Sequence, residues 1–221
     1  MLKKLFIFVQ MSVVLNFVGC ATTSKITDLN NTISADNVRI ARELFISGEK
    51  QVKSNQQKAI ECFTKAIESN PNYAEAYNSR GSVYLDLKQN ETALNDFCTA
   101  IKIDPKLADA YNNRGTVYYQ KKMFNKAIRD YTKAIEINPQ FADAYYNRGL
   151  AYIDTDKFKK AKKDLLGVLI LNGENETMVS KCIASLNLIG RNTYPIVSLS
   201  EIPDYYIFVS VENSGENIWI P

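Results

Sequence analysis

An all-α stack of paired helices wound into a superhelix is the fold this sequence predicts, and three observations predict it. Pro71, Pro105 and Pro139 stand 34 residues apart, as do Gly81, Gly115 and Gly149, and Ala59, Ala93, Ala127 and Ala161. Tyrosines keep the same register, at Tyr77, Tyr111 and Tyr145 and again at Tyr84, Tyr118 and Tyr152. So do Phe63, Phe97, Tyr131 and Leu165, and Ala66, Ala100, Ala134 and Val168. One fixed period of this length marks a repeat architecture, in which each unit stacks on the next because it cannot bury its apolar face alone. The chain has 221 residues, 46% hydrophobic and 23% charged, which is ample for such a core.

The first element is an address. Lys3 and Lys4 precede a mostly apolar run from Leu5 to Val18, broken only by Gln10, Ser12 and Asn16 and followed by Gly19-Cys20. That run covers about 21 Å as a helix, short of the roughly 30 Å hydrocarbon core, so residues 1–19 read as an export signal. The ending Phe17-Val18-Gly19-Cys20 resembles the lipobox of bacterial lipoproteins, with Phe17 where leucine is usual and a polar Asn16 before it. The resemblance implies lipidation of Cys20 and anchoring in the bacterial cell envelope. Ala21, in place of aspartate, favours the outer membrane, facing the periplasm or the cell surface. An ordinary cleaved signal or a short uncleaved anchor are the alternatives. Residues 20–37 are polar and without sustained periodicity, which reads as a tether. Cleavage before Cys20 removes Lys3 and Lys4, so the formal charge of +3 falls to +1, from 25 bases and 24 acids.

The repeats follow over residues 40–175. The order aromatic, glycine, tyrosine, alanine, aromatic, alanine, proline in 74–107 and 108–141 resembles the tetratricopeptide repeat (TPR). Residues 142–175 keep all but the last proline, where Gly173 stands, and the degenerate 40–73 keeps only Ala59, Phe63, Ala66 and Pro71. Leu44 and Gly48 fit one residue out of step, which predicts a shorter connection inside that unit. Each unit reads as two antiparallel helices with single-faced stripes. A glycine inside a helix costs about 1 kcal/mol against alanine, so glycines in register predict close approach of the partner helix. The prolines end each second helix. Residues 176–190, with Val179, Ile183, Leu186 and Ile189 on one face, predict a capping helix. In 191–221 the β-prone run Tyr205–Val211 and Ile218-Trp219-Ile220 flank a polar turn and predict a small β-hairpin extension.

Arg80, Arg114 and Arg148 precede the register glycines, and Asp96, Asp130 and Asp164 follow sixteen residues later on the second helix. The degenerate unit has Ile46 and Cys62 at the matching positions, so both members are absent together. This pattern predicts one structural ion pair per complete unit rather than a catalytic or phosphate-binding row.

In the family resembled, the first helices line a concave groove whose outward positions meet the ligand. Carried over, these are Glu75, Asn78 and Asp86; Asp109, Asn112, Asn113 and Tyr119; and Asp143, Tyr146, Asn147 and Asp154. Such an acidic, amide-rich face suits an extended peptide. Some family members clamp a terminal carboxylate with cations on these faces, and the acids here argue against that ligand.

The chain contains no histidine, which removes the commonest metal ligand and the usual neutral-pH base. No phosphate loop, zinc spacing or nucleophile motif occurs, so no catalytic residue, cofactor or metal is expected. The interspersed charges give no footprint for nucleic acid. Lys157, Lys159, Lys160, Lys162 and Lys163 read as a solvated face, with attraction to anionic lipid or peptidoglycan as the alternative. Cys62, Cys98 and Cys182 read as small buried hydrophobes. The expectation is a non-enzymatic, membrane-anchored scaffold that binds a peptide or protein partner in its groove. A secreted or surface-exposed effector binding host proteins is the alternative, and a carboxylate enzyme a more distant one.

Overall fold

The computed structural model describes residues 23–171, 175–192, 207–210 and 217–220. The signal segment 1–19 and Cys20 lie outside the described residues.

The fold is an all-α superhelix of helix pairs. In chain order these are α1 (Thr23–Gln51) with α2 (Gln56–Ser69), α3 (Ala74–Asp86) with α4 (Asn90–Ile103), α5 (Ala108–Gln120) with α6 (Phe124–Ile137), and α7 (Ala142–Ile153) with α8 (Phe158–Leu171), followed by a lone α9 (Glu176–Asn192). Two short strands, β1 (Ile207–Ser210) and β2 (Asn217–Ile220), pair antiparallel with Ile207 opposite Ile220. From Thr23 onward the polar stretch read as a tether is helical and runs without a break into the first unit.

Two local devices set the repeat. The second helices of the first three units end at Asn70, Asp104 and Asn138, each extended because proline follows. The side-chain oxygen of each then accepts the backbone N–H two residues on, from Asn72, Lys106 and Gln140, at 3.1, 2.8 and 3.1 Å. Between the helices of units two to four the chain passes through Lys88, Lys122 and Asp156 at φ of 62°, 57° and 56°. The next amides, of Gln89, Met123 and Lys157, reach back to the carbonyls of Tyr84, Tyr118 and Tyr152 at 2.9, 2.8 and 2.8 Å. This left-handed closure satisfies carbonyls that a helix end would leave open.

Within each pair the helices meet at the register glycine. A Cβ built on Gly81 would lie 2.8 Å from the Phe97 ring, and one on Gly115 2.7 Å from Tyr131, so these rings occupy the space a side chain would need. Gly48 takes the same place against Phe63, fifteen residues away instead of sixteen. The shorter step puts Ser47, not Ile46, where the later units carry arginine; Ile46 is exposed, and the Cys62 thiol donates to Ser47 Oγ at 3.7 Å. The matching positions expected for the degenerate unit are corrected accordingly. Phe63, Phe97, Tyr131 and Leu165 are fully buried with the alanines around them, each large side chain contributing roughly 2 kcal/mol or more.

Successive first helices touch one another, α3 with α5, α5 with α7 and α7 with α9, whereas the second helices form no comparable row. The first helices therefore line the inner side of the superhelix. Helix α9 occupies the place of a further first helix and covers the end of the stack, with Cys182 and Ile189 buried against Leu165, Val168 and Leu169 of α8.

Candidate functional site

The arginine row is built on the close approach just described. Arg80, Arg114 and Arg148 each present Nε and Nη2 to both carboxylate oxygens of Asp96, Asp130 and Asp164, at 2.7 to 2.8 Å. The aspartates are 6, 5 and 4% exposed. Bidentate pairing of this kind is what makes burial of a carboxylate tolerable. The hydrogen bonds to Asp96 and Asp130 push the guanidinium pKa of Arg80 and Arg114 up from the ordinary value.

The remaining Nη1 reaches the preceding unit. It donates to Thr64 Oγ1 from Arg80, to Cys98 Sγ from Arg114 and to Thr132 Oγ1 from Arg148, at 3.1, 3.6 and 3.0 Å. Each arginine thus closes its own helix pair and ties that pair to the previous one. The spacing of Thr64, Cys98 and Thr132 is again 34 residues, so the register that marks the helix pairs also marks their connection. At the next position in this row stands Leu166, which packs against the core of the last unit, and the α9 residue 34 positions after Arg148 is the buried Cys182.

The groove residues divide into those that face solvent and those that join one unit to the next. Glu75, Asp86, Asp109, Asp143 and Asp154 are exposed. Asn113 Nδ2 donates to Asn78 Oδ1 at 3.1 Å, and Asn147 Nδ2 to Asn112 Oδ1 at 3.0 Å. Asn112 is buried between α5 and α7, so it joins helices and is not an outward ligand contact. Tyr119 donates its hydroxyl to Asp154 at 2.5 Å across the next interface. Burial and that hydrogen bond raise its pKa. Tyr146 is half-buried against the last core cluster. The polar pairs span adjacent first helices and fix their spacing, leaving the carboxylates of Glu75, Asp86, Asp109 and Asp143 exposed to solvent.

A small cleft of about 180 Å³ opens on this face between the first three units, lined by Glu49, Val52, Asn78, Ser79, Ser82, Val83, Asp109 and Asn113. No cation lines it. Apart from the three paired arginines, α3, α5 and α7 carry no basic residue.

Three family models match this stretch: "Tetratricopeptide repeat" over 108–141, "TPR repeat" over 81–122, and a second "Tetratricopeptide repeat" over 62–95 and 130–163. Residues 62–163 are tetratricopeptide repeats. The TPR stack is a protein-interaction scaffold by architecture. Among solved structures it is similar to MamA from Desulfovibrio magneticus RS-1, at 24% identity and a TM-score of 0.54 over 62% of this chain and 77% of that one. It is similar to Pseudomonas aeruginosa pilF at 20% identity and a TM-score of 0.63, over 71% and 74% of the two chains. It is also similar to the first TPR of Spaghetti (RPAP3), solved bound to the HSP90 peptide SRMEEVD, at 26% identity and 0.51 over 54% and 91%. No curated protein sequence matches.

The cysteines correct one expectation of the sequence. Cys182 is buried, and burial pushes its thiol up to about 11, but Cys62 is half-buried and Cys98 exposed. All three are free thiols. Among the described residues no group of three His, Cys, Asp or Glu side chains could hold a metal, and no helix is long and apolar enough to cross a membrane.

Proposed function

We propose that this TPR protein is a scaffold of the bacterial cell envelope, anchored through an acylated Cys20, whose groove holds an extended, cation-bearing segment of a protein partner. The observation that carries the groove reading is the cleft between Glu49 and Asp109. Two carboxylates, two carboxamides and two serine hydroxyls converge there over the valine floor of Val52 and Val83, with no opposing cation. Such a lining accepts the N–H groups of an extended backbone and the ammonium or guanidinium of its side chains.

The exposed acids Glu75, Asp109 and Asp143 recur at one per unit along the same face, so a partner lying along the groove meets them in succession. The acidic peptide in the related solved structure would meet like charge here, which favours a different ligand class for this chain. Glu75, Asp109 and Asp143 stand one per unit along the groove, and the chain has no histidine to activate a serine in the cleft, which favours recognition over catalysis. The anchor rests on Lys3-Lys4, the apolar run and Gly19-Cys20.

The test is crosslinking and pull-down of the lipidated protein from its native envelope beside a Glu75→Lys, Asp109→Lys, Asp143→Lys triple variant. The partner should be lost from the triple variant while its melting temperature stays unchanged. Retention of the same partner would refute the groove reading. Metabolic labelling with a palmitate analogue tests the anchor separately, and label that persists in Cys20→Ser would refute it.

A further inference from the structure

Away from the groove residues, a cleft of about 570 Å³ opens between α7 and α8, lined by Tyr145, Arg148, Tyr152, Lys160, Lys163, Asp164, Gly167, Ile170 and Leu171 beside Pro139. One repeat earlier the sequence places Tyr111, Arg114, Tyr118, Lys126, Arg129 and Asp130 at the corresponding positions. The difference is at the mouth. Unit three has Lys133 and Glu136, which pair at 3.1 Å, where unit four has Gly167 and Ile170.

The exchange does two things. Nothing lies within 4 Å of a Cβ built on Gly167, so the cleft is open where unit three has a lysine side chain. It also removes the acid and leaves an apolar residue in its place, with Ile170 61% exposed. Inside the cleft Arg148 is taken up by Asp164, and Lys160 lies over the Tyr152 ring at 5.7 Å. Lys160 and Lys163 remain as the free positive charge, with exposed Ile170 and Leu171 next to them.

We propose that this cleft binds the phosphate headgroup of an anionic phospholipid. The two ammonium groups take the phosphate oxygens, the tyrosines flank the headgroup, and the first methylenes of the acyl chains lie on Ile170 and Leu171. A soluble acidic polymer would leave those apolar side chains unused, whereas a lipid engages the charge and the apolar edge together. The site gives the last repeat a contact with the bilayer that is independent of the groove.

The test uses the full chain with dihexanoyl phosphatidylglycerol kept monomeric, dihexanoyl phosphatidylcholine and inorganic phosphate as separate arms. It reads lysine acylation rates by mass spectrometry. At a phosphatidylglycerol concentration about ten times the dissociation constant, Lys160 and Lys163 should react about tenfold more slowly while Lys126 is unchanged. The double variant Gly167→Lys, Ile170→Glu, which rebuilds the ion pair of unit three, should lose that protection and melt no lower than the parent does. Absence of protection by phosphatidylglycerol would overturn the proposal. So would equal protection by inorganic phosphate or by phosphatidylcholine, or protection retained in the double variant. Lys160 and Lys163 found already slower than Lys126 before any lipid is added would overturn it too, by showing the cleft filled by the chain's own C-terminal segment.

Discussion

Asp130 accepts hydrogen bonds from Nε and Nη2 of Arg114 at 2.7 and 2.8 Å while the same guanidinium lies 5.6 Å from the Tyr111 ring and 6.0 Å from Tyr118. The arrangement recurs one unit later, where Arg148 lies 5.5 and 5.9 Å from Tyr145 and Tyr152. A guanidinium fixed at its edge by a carboxylate and flanked by rings has few rotamers left. It therefore sets the crossing of its helix pair as well as neutralising the buried acid.

Removing one partner leaves the other charge uncompensated. Arg114→Leu or Asp130→Leu alone should therefore destabilise the protein by about 2 to 3 kcal/mol, and the double change should be milder than either single one. Thermal melts of the three variants check this. A double variant that melts below both singles would show that the two residues are not partners.

Glycine to alanine changes should split by what the new methyl group meets. At Gly81 it would fall 2.8 Å from the Phe97 ring, whereas at Gly167 it meets nothing within 4 Å. Gly81→Ala should cost about 1 to 3 kcal/mol through overpacking, while Gly167→Ala should gain up to about 1 kcal/mol from helix propensity. Urea midpoints of the two variants, moving in opposite directions from the parent, are the expected result.

The fold was legible because its signals are local and repeated. Proline at 71, 105 and 139 stops a helix through its own ring, and glycine at 81 and 115 marks a close approach whatever lies elsewhere. The fate of Asn112 was not legible. Its position five residues into the helix matches Asn78 and Tyr146, and only the crossing of α5 with α7 decides that it is buried and bonded to Asn147. The same holds for Cys98, which reads as a small apolar residue by composition yet is exposed and accepts from Arg114, because its neighbour is set by stacking rather than by spacing. At Ser47 the short first connection shifts the register by one, as it does at Gly48, so Ser47 and not Ile46 meets Cys62.

Tyr131 offers a pH test of the core. Burial pushes its hydroxyl up to about 12, against an ordinary value of 10. Below pH 10 both folded and unfolded chains keep that proton, so its contribution is fully present there. Between pH 10 and 12 the unfolded chain releases a proton that the folded chain retains, and stability falls by up to about 1.4 kcal/mol per pH unit from this group. The parent should therefore lose stability more steeply over that range than Tyr131→Phe, which carries the ring found at Phe63 and Phe97. Urea unfolding at pH 9 and pH 11 measures the difference. Equal losses in the two proteins would show that Tyr131 does not titrate with unfolding.

Cys98 interrupts the row in which Thr64 and Thr132 accept from Arg80 and Arg148. Its sulfur sits 3.6 Å from Arg114 Nη1, against 3.1 and 3.0 Å to the two hydroxyls. A hydroxyl oxygen is the stronger acceptor, and the charged donor is already in place, so Cys98→Thr needs no rearrangement of the arginine. The β-branched side chain is tolerated at the same helical position in the neighbouring units. Cys98→Thr should raise stability by about 0.5 to 1 kcal/mol. The gain should vanish in an Arg114→Leu background, because it is transmitted through that one guanidinium. A gain that survives the loss of Arg114 would assign it to helix propensity or thiol removal instead, and would leave the row without a role in joining the second unit to the third.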